Sequence, residues 1–425
     1  MNARRVTRIG AQLALYVGAP LLGSLAPLVV IPAVTSQYGA AGWASVAVAL
    51  SVGLAGAVIG ELGWVVVGPQ KVSRDRAAAS GLYERALASR LVAVGVLALP
   101  VAVASGTLAH EHRTAAVLLG LGILGGALSP SWYWTGLGRP ATILLVEALP
   151  RMTLALSAAG AIALGAPLES YGAALCAAAA LTVLLSARTA GVRAWPSRAA
   201  FRAAPSTARS QSVVMLGRTI STLYRALPAA LLAGVTPGAV ATFSAVDRPL
   251  RMGLQFLAVV PQRLQTWVGV EDQVIARRRA VQVVLMNIGL GAAAGVLVLA
   301  AMPTFVAVLF TGVVAVDGAL AAIAGLLVAV VCAARGFGLA LVALGRADAS
   351  TWAAASSAVV GIPGAVFGGV LAGAEGTMAA LVIAEFVGLV LQWGILARAV
   401  RAPSGAGSGT AQSARGCTDA ERLRS

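Results

Sequence analysis

The sequence predicts an all-α polytopic membrane protein with about 12 transmembrane helices in two pseudo-symmetric six-helix bundles around a central cavity. The first observation is composition: 59% hydrophobic residues, 11% charged residues and a mean hydropathy of +0.88 do not describe a water-soluble domain of this length. The second is that apolar stretches of about 20 residues, the length that crosses a bilayer as a helix, recur between short polar turns. The third is a lopsided placement of basic residues along those turns. Barrel strands would be about half as long and would alternate in polarity.

The expected spans are 11–34, 41–68, 88–108, 114–135, 141–163, 170–187, 212–233, 239–266, 281–310, 318–345, 351–373 and 377–397. The first follows Arg4, Arg5 and Arg8 and is too long for a signal-peptide core, so it is expected to remain as an uncleaved anchor. Residues 1–187 form the first expected bundle and 188–211 a basic linker loop. Residues 212–400 form the second bundle and 401–425 a disordered tail rich in Ser, Gly, Ala and Thr.

With the N-terminus inside, 23 of the 31 basic residues fall in cytoplasmic segments and only Arg113 falls outside. Both termini are therefore expected in the cytoplasm. The net charge of +16 is then mainly topological, which argues against a nucleic-acid partner. Cys176 and Cys332 lie in spans and Cys417 in the tail, so no disulfide framework or metal set is expected. His110 and His112 flank Glu111 on a short turn, which is a poor metal signal. Heavy use of Arg, Ala and Gly suggests a bacterial, high-GC coding sequence, and the location expected is the bacterial inner membrane.

Two short matches relate the halves. Tyr38 to Ala47 lies over Thr236 to Ala245 at a shift of about 200 residues, and Leu137-Gly138-Arg139 lies over Leu344-Gly345-Arg346 in the turn after the fourth span of each half. Parallel repeats related by an axis along the membrane normal follow from such matches.

The stretch SPSWYWTGLGRP, Ser129 to Pro140, is followed by Glu147 and Arg151. It resembles the Trp-aromatic-Gly-Leu turn of the bacterial polysaccharide or O-antigen flippases, a family of the multidrug/oligosaccharidyl-lipid/polysaccharide (MOP) exporter superfamily. Tyr38 to Trp43, Gly60-Glu61-Leu62-Gly63-Trp64, and Pro303 through Phe310 to Gly312 are similar to further family segments in the same order. Many relatives carry Asp and an aromatic residue where this chain has Glu61 and Leu62. The resemblance covers roughly residues 10–400. It implies a non-enzymatic flippase that moves an undecaprenyl-pyrophosphate-linked oligosaccharide to the outer leaflet by alternating access, without a cofactor. Membrane lipids and a polysaccharide polymerase or glycosyltransferases are the partners it implies.

Charge inside the spans carries the functional reading, because a charged residue at a helix centre costs roughly 2.5–3.5 kcal/mol on insertion scales unless it finds water or a partner. The spans hold Arg151, Arg218, Arg225, Arg248, Arg251, Arg263 and Arg335 against Glu61, Glu147, Asp247 and Glu385. A water-filled, net positive cavity is the simplest arrangement. Glu147 with Arg151, and Asp247 with Arg251, are four apart and can form ion pairs. Arg263 lies near a span end and can snorkel. Arg218 and Arg225 are seven apart on one helix face with no acid in their own span. Arg218, Arg225, Arg248, Arg335 and Arg151 are therefore the candidate substrate-binding arginines. Trp132 and Trp134 are expected as cavity lining or as an interfacial belt, two roles that are compatible. Glu61, Glu147 and Asp247 are the candidate ion-coupling carboxylates.

Two alternatives remain. A multidrug/cation antiporter of the same superfamily would use cavity carboxylates, yet spans one and seven contain none. A polytopic glycosyltransferase would need catalytic carboxylates on a substantial external loop, and the turns near 35–40, 109–113, 164–169, 234–238, 311–317 and 374–376 are short.

Overall fold

A computed structural model of the chain describes residues 3–209, 211, 219, 222–268 and 273–401, with side chains from residue 27 onward in most of them. Arg218 and the tail lie outside the described residues, and the side chain of Arg263 does too. Among the described residues every regular element is a helix, which is the arrangement that satisfies all backbone polar groups in lipid without closing a barrel.

The helices, in chain order, begin with α1 (Ala3–Gly60), α2 (Trp64–Arg74), α3 (Ala79–Leu108), α4 (Arg113–Leu124) and α5 (Ser131–Gly136). Next come α6 (Pro140–Ile143), α7 (Leu149–Ala163), α8 (Glu169–Ala190), α9 (Arg198–Arg209) and α10 (Pro228–Val235). The last are α11 (Val240–Leu257), α12 (Val259–Val268), α13 (Gln273–Leu309), α14 (Gly318–Ala343) and α15 (Ala347–Arg401). By length and composition, 8 helical stretches among the described residues can cross a membrane. Two of them, of 48 and 52 residues, are long enough to cross twice. They turn at Gly39 (φ 60°) and at Ala372–Gly373 (φ 55° at the glycine), and a left-handed φ is where glycine avoids the Cβ clash. The expected span 239–266 is not among the 8: its helix breaks at Ala258 and it contains Asp247, Arg248, Arg251 and Arg263. Span 212–233 lies partly outside the described residues.

Small residues let the last hairpin close. Gly368 faces Gly376, Gly364 faces Ala380, Gly361 faces Ala384 and Ser357 faces Gly388, so each step down one arm of α15 is matched by a step up the other. Such stripes bring membrane helices to backbone contact, where dispersion and close packing replace the missing hydrophobic drive.

The turns Leu137-Gly138-Arg139 and Leu344-Gly345-Arg346 are the same structural motif. Gly138 and Gly345 have φ of 71° and 75°. In one, Arg139 N–H donates to Trp134 O at 2.9 Å and Gly138 N–H to Thr135 O; in the other, Arg346 N–H donates to Leu341 O at 2.8 Å and Gly345 N–H to Val342 O. This is a Schellman-type cap, and it satisfies helix carbonyls that would otherwise be orphaned.

The stretch 188–211, expected as a loop, contains helix α9, whose Ala200 and Ala204 are buried where it packs on α3. The preceding Ser197 N–H donates to Glu84 Oε1 at 2.7 Å. Its alanines supply an apolar stripe between arginines, a period the basic composition masked.

Candidate functional site

The turns expected on one side of the membrane do meet at one end of the molecule. Tyr38 Oη donates to Ala166 O at 2.8 Å and Ser45 Oγ to Glu111 O at 3.3 Å. Thr114 donates to Glu169, also between these turns. Contacts between the first and second halves of the chain close this end: the Thr35 and Thr311 hydroxyls are 3.2 Å apart, and Trp43 meets Phe310 edge-on at 5.1 Å. Deeper, Ser51 Oγ donates to Ala226 O and accepts from Ala230 N–H, tying the second arm of α1 to the start of α10.

Beyond that seal lies a cavity of about 290 Å³. Leu54 and Val58 of α1 form one wall, and Arg225, Arg248, Arg251 and Arg335 reach it from the other side. Two carboxylates accompany the four arginines, which leaves the group net positive. Asp247 holds Arg251, whose Nε lies 2.7 Å from both carboxylate oxygens. Glu385 Oε1 accepts from Tyr224 Oη at 2.6 Å and lies 3.5 Å from Arg225 Nη2. Arg335 Nη1 donates to the carbonyl of Leu254, near the break that ends α11. Arg248 differs from these: its Nε is buried and has no hydrogen-bond partner among the described residues.

A buried guanidinium N–H without a partner is costly, so this arrangement is expected where a ligand or water completes the site. Arg225 is half exposed, at 51% for its side chain, whereas the Glu385 beside it is at 10%. That difference leaves the Arg225 fork free to turn toward the cavity. Four arginines in a water-accessible, low-dielectric chamber can grip an anion with paired N–H donors, which suits two oxygens of a phosphate.

The sequence-predicted residues fare differently. Arg225, Arg248 and Arg335 converge on this cavity, and Arg218 falls outside the described residues. Arg151 lines a separate, much smaller cavity with Glu147 and Ser129. The expected Glu147–Arg151 pair does not form. Glu147 sits in a π-helical turn, Leu144–Ala148, which shifts its side chain toward Ser129, and Ser129 Oγ donates to it at 2.7 Å. Asp247 is the ion-pair partner of Arg251 rather than a free coupling group. Glu61 lies just before the left-handed Leu62 and Gly63, at the break between α1 and α2.

Trp132 and Trp134 are neither belt nor cavity wall, for each is only 1% exposed. The Trp132 ring lies over Gly68, tilts 5.1 Å from Trp64 and carries the Arg90 guanidinium at 5.6 Å. Trp134 Nε1 donates to Ser186 Oγ at 3.0 Å. The aromatic run is an internal brace, because Gly68 and Gly136 let α2 and α5 approach within a ring's thickness. Arg90, near the start of the expected span 88–108, is fully buried and donates to Ala127 O and Ser129 O.

Sequence reasoning gave Tyr224 and Glu385 no role. Glu385 was recoverable as the one acid of the last span, but its partner lies 160 residues away.

The arrangement has known counterparts in fold. The structure is similar to a multidrug resistance MATE family transporter of the MOP superfamily in an inward-facing conformation, with a TM-score of 0.62 and 15% identity over 90% of this chain and 96% of that one. It is similar to the lipid II flippase MurJ in an inward closed conformation, at a TM-score of 0.58 and 9% identity over 90% and 87%. A eukaryotic MATE transporter gives 0.54 and 14% over 93% and 98%. The fold is therefore that of the MOP exporters. No protein-family model and no curated protein sequence matches the chain.

Proposed function

We propose that the chain is a flippase for an anionic lipid-linked oligosaccharide, a glycan carried on undecaprenyl pyrophosphate, in a bacterial inner membrane. The observation that carries this reading is the convergence of Arg225, Arg248, Arg251 and Arg335 on one interhelical cavity with Asp247 and Glu385 as the counter-charges among the described residues. The pyrophosphate settles among the arginines, the glycan occupies the hydrated space, and the lipid tail stays in the bilayer. Residues 1–187 and 212–400 act as two bundles that rock about the seal at Thr35, Trp43, Phe310 and Thr311, opening the cavity alternately to each side. The seal at the Thr35–Thr311 end supports a state open toward the basic loops.

A multidrug/cation antiporter shares the fold, and its cationic substrate would require the opposite charge balance. Reconstituted in proteoliposomes, the protein is expected to move a fluorescent undecaprenyl-pyrophosphate glycan between leaflets and to leave a lipophilic cation such as ethidium untransported. Efflux of the cation with no movement of the glycan lipid would support the antiporter instead.

The proposed orientation puts the basic turns and both termini in the cytoplasm. Single cysteines placed at Arg209 and Glu111 in a cysteine-free background then label from opposite sides of intact cells, Glu111 from outside. Labelling of Arg209→Cys by an impermeant maleimide added outside would reverse the assignment.

A further inference from the structure

Beside the central cavity lies a side chamber of about 220 Å³ lined by α14 and the two arms of α15. We propose that this chamber is a sugar subsite: it receives the hydroxyl-rich ring attached to the phosphate that the arginines hold. This inference rests on the proposed anionic, sugar-bearing substrate.

Adjacency comes first. The chamber and the central cavity are lined in common by Tyr224, Arg225, Arg335 and Glu385, so a ring bonded directly to a phosphate held by Arg225 and Arg335 lies next to the chamber. The far wall of the chamber is built from Ser350, Ser357 and Gln392. Gln392 is 7% exposed, and among the described residues neither its Oε1 nor the buried Oγ of Ser350 has a hydrogen-bond partner. Buried polar atoms in this condition are expensive to maintain, and both belong to side chains that line one space, where a small rotation brings them to an occupant that carries hydroxyl groups.

Other occupants fit less well. An acyl or prenyl tail would leave both polar atoms unmet. An organic cation would seek Glu385, yet Tyr224 and Arg225 already engage its Oε1, and Arg335 lines the same space. A pyranose ring offers several O–H groups, each both donor and acceptor, and can serve the Gln392 amide, the Ser350 hydroxyl and the second Glu385 oxygen together.

Glycine keeps the chamber open. A Cβ at Gly338 would lie 3.5 Å from Ser350 Oγ and 3.8 Å from Gln392 Nε2. These are ordinary contacts, so Gly338→Ala folds without strain while occupying the space between the two polar groups.

The test uses the full chain purified in nanodiscs, with binding measured by calorimetry. The probes are inorganic phosphate and the 1-phosphates of glucose, galactose and N-acetylglucosamine. The expected result is that at least one sugar phosphate binds about tenfold more tightly than phosphate. Gln392→Leu and Gly338→Ala each bring that ratio to below about twofold while binding phosphate with wild-type affinity. Equal wild-type affinity for phosphate and all three sugar phosphates would overturn the subsite and leave the anion site standing, the chamber then holding water. Full sugar preference in both variants would place the sugar elsewhere and overturn it too. Absence of all binding would remove the anion reading along with the subsite.

Discussion

Replacing Arg248 by Gln is expected to slow translocation of the glycan lipid about 10- to 100-fold without lowering the amount of protein in the membrane. A hydrogen bond to a charged group contributes roughly 1.5–3 kcal/mol, and each 1.4 kcal/mol is a factor of about ten. Arg248 is chosen because its buried Nε has no hydrogen-bond partner among the described residues. Neutralising such a cation removes a desolvation cost, so the apparent melting temperature in detergent stays level or rises. Arg251→Gln provides the contrast. Arg251 is locked to Asp247 by two contacts of 2.7 Å, and its loss strands a carboxylate that is 6% exposed. Removing one member of a buried pair costs about 3–5 kcal/mol, so that variant is expected to lose abundance and stability. Loss of stability in Arg248→Gln comparable to that in Arg251→Gln would make Arg248 a structural residue.

Gly368→Val is expected to be the most destabilising single substitution in the second half. A Cβ on Gly368 would overlap the carbonyl of Gly376 on the other arm of α15, and Gly376 reciprocates against the carbonyl of Gly368. The obstacle is backbone on both sides, so no side chain can rotate away and the arms must separate. Overpacking in a close-packed interior costs about 1–3 kcal/mol when side chains absorb it, and this site exceeds that range. Gly364→Ala is the control, since its Cβ would stand 3.3 Å from Ala380 Cβ, where a shift of a few tenths of an ångström suffices. Thermal unfolding in detergent should order the variants as wild type, Gly364→Ala, then Gly368→Val. Equal stability for Gly368→Val and wild type would show that the hairpin arms do not pack as described.

What could be read from the sequence follows a physical division. Apolar length is a local property, so α3, α8 and α14 appear close to where hydropathy places them. The two Leu-Gly-Arg turns were visible because a left-handed glycine and its cap are set within six residues. Pairing was not legible. Glu147 and Arg151 have helical spacing, but a π-turn spoils the register, and no local pattern announces where one residue is inserted in a helix. Arg225 has no acid in its own span and finds Glu385 only through tertiary packing. Trp132 and Trp134 misled for a related reason: amphipathic rings favour interfaces on average, while here Gly68 and Gly136 remove the volume that would keep the rings outside. Arg90 carried the same ambiguity, because a basic residue at a span end is ordinarily solvated and this one is held by three backbone carbonyls.

The central claim is that the arginine cavity binds the phosphate of a lipid-linked substrate. The most direct measurement is equilibrium binding of a short-chain polyprenyl pyrophosphate to the nanodisc-embedded protein, wild type against the Arg225→Gln, Arg248→Gln double variant. Binding by the wild type that weakens with salt, and a loss of at least about tenfold in the double variant, is the predicted result. Undiminished binding by the double variant, or wild-type binding that is indifferent to the pyrophosphate and follows the prenyl chain alone, would contradict it.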